Sequence, residues 1–355
     1  MDTLHAKKIL VICPIASGGG VSEAFVLSLD MLRDGGFVPV AVAPKDFKLK
    51  QAILDRQIEF HEIAGLEQGG LFYLFRQSLA LRNVAIRCNV DGIITNNGRF
   101  VSFLKILLPK IPLAAIYHGG KSKRFLNADR IITINDPQRE IMIDMGFDEK
   151  SISVVDNALP VSTLPDFTFN PWIEQNGPVI GTLRLLEPAK GVDVLVRAIG
   201  KLASEGTRLK TRIGSSGSQL GALKSLVAEL EIEDLVEFVG WIDSKDEFFK
   251  SMNIYVLPSR AEEWGIGIVE ANAASLPVIA TKTLGPLRIV NDGVTGLLVE
   301  PDDVDGLAAA IKELSENPDR CEELARNGYN HCLKNYVYPI VAPRFYNEIK
   351  KLLAA

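Results

Sequence analysis

Leu257-Pro-Ser-Arg-Ala-Glu-Glu-Trp-Gly-Ile-Gly-Ile-Val-Glu270, followed by Ala271-Asn-Ala-Ala-Ser-Leu-Pro-Val-Ile-Ala280, is the stretch on which the reading of this chain turns. An apolar strand, Ile254–Leu257, runs into a Pro-Ser turn. Two acids and an aromatic follow, and glycines then open a helix that ends near Ser275. A second apolar strand begins at Pro277. A strand-loop-helix-strand unit with acids in its loop is where an open parallel sheet presents ligand chemistry, at the carboxyl ends of its strands.

The rest of the chain repeats that texture. Apolar runs at Lys8–Pro14, Val38–Ala43, Ile58–Ile63, Gly92–Thr95, Leu113–Tyr117, Arg130–Ile134 and Ile152–Val155 read as strands. Val21–Arg33 and Leu71–Arg87 read as amphipathic helices among them. Leu159–Trp172 holds three prolines, has no period, and reads as a linker. Alternation then restarts through strands at Val179–Thr182, Leu209–Ile213 and Leu235–Val239, with helices at Val192–Ser204, Gln219–Glu231 and Lys245–Ser251. Beyond the opening stretch come strand Gly296–Val299 and helix Val304–Ser315. The expectation is an α/β chain of two doubly wound, Rossmann-like domains. Residues 1–164 make the first and 165–338 the second, with a terminal helix at 339–355 packing back on the first. A ligand is expected in the cleft between the two domains.

Composition bounds the function. Of 355 residues 47% are apolar and 23% charged, the balance of a soluble globular chain. There is no run of 18 apolar residues, and the first residues do not have a signal-peptide layout. Cys13, Cys88, Cys321 and Cys332 show no CxxC spacing, which argues against a disulfide framework or a zinc site and fits a reducing cytosol. A cytoplasmic protein is expected. Residues 1–150 carry 19 Lys/Arg against 16 Asp/Glu, net +3; the remaining 20 against 28 give −8. From residue 93 to 130, seven bases face only Asp129, a stretch suited to an anionic acceptor or membrane surface, or simply to solvent. Peripheral contact with the inner face of an anionic membrane is one reading of it, and of Leu71–Arg82. A helix packed on the sheet explains that last segment equally well. Nucleic acid finds no reader motif.

Several groups stand at strand ends. Gly18, Gly19 and Gly20 form either a tight turn or a phosphate- or acceptor-facing loop; Glu23 stands where a dinucleotide fingerprint needs a small residue. His118 precedes Gly119-Gly120 and is placed to touch a ligand, with no second His or Cys nearby for a metal. Arg184 and Lys190 flank a strand-to-helix turn and suit a diphosphate. Gly214 closes another such turn. Asp303 and Asp305 have DxD spacing but open a helix and read as caps. Glu262 and Glu270 are separated by roughly 7–8 Å of helix at ~1.5 Å per residue. They can hold the two ends of an extended ligand, with the helix N-terminus between them. Glu270 then faces vicinal hydroxyls such as a ribose, and Glu262 a sugar.

Pro258-Ser259, Glu262, Gly265, Glu270-Ala271 and Pro277-Val-Ile-Ala280 together resemble the glutamate-seven-residues-glutamate motif of the retaining glycosyltransferases of family 4. The resemblance extends through Lys190-Gly-Val-Asp193, the Gly214 turn and Asn291-Asp-Gly-Val-Thr-Gly296. In the first half it is confined to the glycine loop, His118-Gly119 and Asn157. It implies a GT-B fold and transfer of a hexose-type sugar with retention, from a nucleotide-diphosphate donor to a glycan or glycolipid. Cell-surface polysaccharide or lipopolysaccharide synthesis would be the setting, with no metal and no cofactor. By position it implies that Arg184 and Lys190 neutralise the leaving diphosphate and that Glu270 holds the ribose. Glu262 would contact the sugar and His118 its 6-position, with Gly265, Ile266, Gly267, Gly214 and Glu263 beside the donor. Three departures stand out. Arg184 lies six residues before Lys190 rather than five, Glu263 takes the place of a glycine, and Ser275 takes the place of another. With catalytic loops altered in this way, a nucleotide-sugar-binding protein without transferase activity is the alternative reading.

Overall fold

A computed structural model describes residues 6–16, 19–119, 122–161, 164–172 and 177–354. In chain order the elements begin β1 (Lys8–Ile12), α1 (Gly20–Asp34), β2 (Val38–Pro44), α2 (Lys50–Asp55), β3 (Glu59–Ile63), α3 (Leu71–Arg87) and β4 (Gly92–Thr95). They continue α4 (Val101–Leu107), β5 (Leu113–Tyr117), β6 (Arg130–Thr133), α5 (Asp136–Asp144) and β7 (Ile152–Val154). Then come β8 (Ile180–Leu183), α6 (Val192–Ser204), β9 (Thr211–Gly214), α7 (Leu220–Glu229), β10 (Val236–Gly240), α8 (Lys245–Lys250) and β11 (Ile254–Leu257). The chain closes with α9 (Ile266–Ala273), β12 (Val278–Thr281), α10 (Leu284–Ile289), β13 (Leu297–Val299), α11 (Val304–Glu316), α12 (Pro318–Asn335) and α13 (Tyr338–Ala354).

The chain divides into one unit of residues 1–160 plus 338–355 and another of residues 161–337. The first holds a seven-stranded sheet in the order β3-β2-β1-β4-β5-β6-β7, and the second a six-stranded sheet in the order β10-β9-β8-β11-β12-β13. Every strand pair is parallel. Strands such as β5, β11 and β12 are buried along their whole length, because helices cover both faces of a parallel sheet. Counted from its own first strand, each sheet begins in the order 3-2-1-4-5-6. The winding therefore reverses between β1 and β4 in one unit and between β8 and β11 in the other.

The described part of the linker segment has no regular element but is not loose. Phe167 meets Tyr329 edge to face, and Phe169 and Trp172 pack on the second core. Two helices of the second unit, α10 and α12, were not expected from the sequence. α12 buries Cys321, Leu324, Ala325, Gly328, Tyr329 and Cys332, a helical stripe made mostly of small residues.

The terminal helix α13 packs on α1 of the first unit. Gly35 leaves room for Tyr346, whose side-chain atoms would lie 2.6 to 3.1 Å from any Cβ there, and the Tyr338 hydroxyl donates to Asp34 at 2.7 Å. Glu348 is buried and accepts from Arg130 (2.7 Å), Ser153 and Lys351 (2.6 Å). Burial raises the Glu348 pKa, yet its donors outweigh burial and hold the carboxyl below the ordinary glutamate range. A depressed carboxylate stabilises the fold above its unfolded pKa, and that contribution is lost as the pH falls. Glu348→Ala strands a mostly buried guanidinium and should cost about 3 kcal/mol. Urea unfolding at neutral pH should show that difference shrinking towards pH 4, and an equal difference at both pH values would refute it.

Candidate functional site

A parallel sheet offers its ligand crevice outside the carboxyl ends of the two strands where the winding reverses. In the second unit those strands are β8 and β11, and the loops that follow them carry Arg184, Lys190 and Glu262. The two loops are fastened to each other. Arg260 and Ala261 donate their backbone N–H groups to the Ala189 carbonyl at 2.9 and 3.3 Å. Arg260 also forks onto Asp193 at 2.7 and 2.8 Å, bonds the Pro188 carbonyl at 2.7 Å and meets Asp302 at 2.6 Å. Gly191 has φ +62, and a Cβ there would stand 2.0 Å from the Pro258 carbonyl oxygen. Only glycine permits that approach. From the other side, the Gly285 amide donates to the Glu262 carbonyl at 2.9 Å.

This framework gathers three of the sequence-predicted side chains on one atom. Glu262 Oε2 accepts from the Arg184 guanidinium, from Lys190 Nζ at 3.0 Å and from Ser259 Oγ at 3.5 Å. Arg184 is buried, and among the described residues its Nε finds no hydrogen-bond partner. Burial, with the Arg184 charge adding to it, pulls the Lys190 pKa down to about 8, while Glu263 pulls the other way. Glu263 is itself exposed, because its neighbour Trp264 is turned inward against Tyr336, ring centroids 5.4 Å apart.

α9 starts just beyond. Gly265 is its N-cap with φ +93, Ile266 its first residue, and no side chain caps it. Gly267 lies over the buried Tyr255, whose hydroxyl would be 2.2 Å from a Cβ at that position. Burial raises the Tyr255 pKa to about 12; Arg184 lowers it and Glu270 raises it, so the hydroxyl lies in the field of both. Glu270 is paired with Lys245 of α8 at 2.7 Å. Nothing in the sequence tied Lys245 to Glu270 or Arg260 to Asp193 and Asp302, because these partners lie at distant positions on other elements. Gly214 ends β9. A Cβ there would press on Leu183 and Phe248 at 2.9 Å, so packing requires the glycine.

Ser275, in a position where glycine is usual, has φ +62, and its hydroxyl accepts from the Thr168 amide at 3.1 Å. Asp303 caps α11 through the Gly306 amide at 2.8 Å, and Asp305 pairs with Lys201, so the DxD pair belongs to the helix start.

The first unit contributes its own group. His118 follows β5 and pairs through Nε2 with Asn96 Oδ1 at 3.0 Å. Burial lowers its pKa to about 4, so the ring is neutral near pH 7 and donates a hydrogen bond rather than a proton. Asn96, His118, Asp156, Asn157 and Phe345 line a pocket in this unit. Gly19, φ +121, is the N-cap of α1, and Gly20 is its first residue; among the described residues a side chain at either would meet nothing within 4 Å. Gly18 lies outside the described residues. Although the cysteine spacing argued against a metal site, Glu59, His61 and Cys88 have ligand atoms mutually within 4.8 Å, the one such trio among the described residues. Hydrogen bonds of 2.9 to 3.4 Å among the three account for the cluster.

The close packing of Gly267 on Tyr255 generates a test. Gly267→Ala should shift α9 and destabilise the protein by about 1–3 kcal/mol, the cost of overpacking. Adding Tyr255→Phe, which removes the obstructing oxygen, should restore part of the loss in a thermal melt. No restoration would show that the hydroxyl is not the obstacle.

Comparison with known proteins agrees with this geometry. Residues 166–331 match the family model described as glycosyl transferases group 1. A D-inositol 3-phosphate glycosyltransferase of Streptomyces coelicolor is 34% identical over 145 residues, covering 38% of this chain. The alignment takes in 32% of that protein, so the chain spans about a third of the length of this curated relative. A glycosyltransferase from Rickettsia africae superposes with a TM-score of 0.84 at 18% identity, over 98% of this chain and 99% of that one. Anabaena Alr3699/HepE in complex with UDP and glucose gives 0.81 at 19% identity, over 99% of this chain and 100% of that one. The chain carries the GT-B fold of two parallel-sheet Rossmann-like domains, and its second unit belongs to the glycosyl transferases group 1.

Proposed function

We propose that the protein is a retaining, metal-independent glycosyltransferase that moves a hexose from a nucleotide-diphosphate donor to a glycan or glycolipid. The observation that carries this reading is the convergence of Arg184 and Lys190 on Glu262 beside the uncapped start of α9. In the reaction the bond from the anomeric carbon to the diphosphate oxygen breaks, and its electron pair stays with the phosphate. The acceptor oxygen bonds the anomeric carbon on the same face, and its proton passes to the departing phosphate oxygen. The charge that develops there is met by the Arg184 and Lys190 side chains and by the free amides of α9, which are already in position. Glu270 exchanges the Lys245 ammonium for the ribose hydroxyls, Glu262 and His118 contact the sugar, and the glycine loop at Gly19-Gly20 faces the acceptor side.

UDP and glucose occupy the Anabaena neighbour, which makes UDP-glucose the first donor to try. The setting we infer is cell-surface polysaccharide or lipopolysaccharide assembly by a cytoplasmic protein at the inner face of an anionic membrane. A thermal-shift panel of UDP-, GDP- and ADP-sugars, followed by an assay of nucleotide release, tests the reading. A donor that raises the melting point and releases its nucleotide supports transfer. Binding with neither release nor transfer would return the chain to the alternative of a sugar-nucleotide-binding protein.

Two outcomes are specific to this site. Glu270→Ala should weaken UDP binding about tenfold or more, since the ribose loses a charged acceptor worth ~1.5–3 kcal/mol; isothermal titration gives the value, and an unchanged affinity removes the ribose assignment. Lys190 has a folded pKa of about 8, so it carries its charge below that pH and loses it as the pH rises. kcat/KM for the donor, which reports the free enzyme, should therefore fall above pH 8, and Lys190→Arg should move the fall upward because guanidinium keeps its charge. Lys190→Ala should lower kcat by about 100-fold with a smaller change in donor KM. A pH profile identical in wild type and Lys190→Arg would discard the charge role.

A further inference from the structure

The first unit has a face that neither its core nor the proposed chemistry uses. α3 packs on the core through Leu74 and through its later turns, where Gln77, Ser78, Leu81, Val84 and Ala85 are buried. Its first turns project beyond the core, with Leu71 74% exposed and Phe72 69% exposed, and with Tyr73 and Phe75 about half exposed. α4 packs beside α3, Phe75 and Phe103 facing each other with ring centroids 6.4 Å apart, and α4 adds Ile106 at 75% exposure. The helical turn Ser122–Phe125 packs on α4, and Leu126 beyond it is half exposed. Packing on the sheet thus explains the second half of α3 and leaves its start unexplained. An apolar first turn with only Leu74 on the core, and with Leu71, Phe72 and Tyr73 facing out, is not how a solvated helix is built.

The charge around this face has one sign. No Asp or Glu occurs from Gln68 to Val90 or from Gly92 to Ala128. Some of the bases there are spent inside the unit: Arg99 bonds the Glu67 and Gln68 carbonyls ahead of α3, and Lys105 pairs with Asp129. Others stay outward. Arg76, Lys110, Lys123 and Arg124 are exposed, and Arg124 is close enough to lower the Arg99 pKa, which brings it near the start of α3.

We propose that the starts of α3 and α4, with the Leu126 turn, form a docking surface for an anionic lipid bilayer. The apolar side chains insert at the headgroup level and the surrounding bases meet lipid phosphates. Charge separates this occupant from a second copy of the chain. Pairing the face with itself would set its excess positive charge against the same charge, whereas an anionic surface neutralises it. The assignment names the face that makes the membrane contact in the proposed setting, and it does not depend on the transferase chemistry.

Co-sedimentation of the whole protein with phosphatidylcholine vesicles, with and without phosphatidylglycerol, tests it without any activity assay. Pelleting is expected with the anionic vesicles only and should fall as salt rises from about 50 to about 500 mM. Leu71→Ser with Phe72→Ser and Ile106→Ser should cut the bound fraction about tenfold. These exposed positions should leave the melting point unchanged, and sedimentation velocity should show the same mass for variant and wild type. Lys123→Glu with Arg124→Glu should weaken binding to anionic vesicles as well. No pelleting at low salt, or pelleting by the triple variant equal to wild type, overturns the proposal. So does a wild-type dimer that the variant dissociates. Loss of donor turnover with vesicle binding intact would instead count against the proposed chemistry.

Discussion

The contact on which the candidate site depends is between two loops, where Gly191 lies against the Pro258 carbonyl. Any side chain at that glycine would push the loop after β8 away from the loop after β11, and the cations would then part from Glu262. Arg260 works for the same closeness. Its fork onto Asp193 and its third and fourth bonds to Pro188 and Asp302 tie three separate segments at one side chain. Position in the sheet accounts for the rest, because the reversal between β8 and β11 leaves these loops with room for a ligand above the strand ends.

Within that frame the charges are balanced before any ligand arrives. A carboxylate with two cations on one oxygen, in a mostly buried place, tolerates desolvation that an isolated cation would not. The same balance keeps Arg184 and Lys190 oriented, so little reorganisation is needed when a new anion replaces part of what Glu262 supplies. Lys245 does for Glu270 what the two cations do for Glu262. Glu262 and Glu270 are thus each held by a base supplied from another element.

Legibility followed the physics of each element. Strands buried on both faces are unbroken apolar runs, so β5, β11 and the helix α3 fall on the residues that periodicity picks out. α12 escaped because its buried stripe is Cys, Ala, Gly and Tyr among charges, and small residues carry little hydrophobic signal. Glu262, Arg184 and Lys190 were legible as charged residues at strand ends, and the structure brings them onto one atom. Their pairing was not legible, since it depends on the reversal of winding, a fact about strand order rather than residue spacing. Ser275 shows a departure absorbed locally: it takes the left-handed backbone that glycine usually supplies, and its hydroxyl satisfies an amide that glycine would leave unmet.

The first unit is not continuous in the chain. Its sheet is complete by Val154, but the helix that covers α1 and satisfies Arg130 is made of the last residues, Tyr338–Ala354. A chain emerging from the ribosome therefore leaves bare the side of α1 that α13 covers throughout synthesis of the second unit, which lies wholly between the two parts. The second unit has all of its own residues first and can reach its final packing while its neighbour still waits for a cover. Assembly of this protein is then nested rather than sequential, with the domain that begins first finishing last.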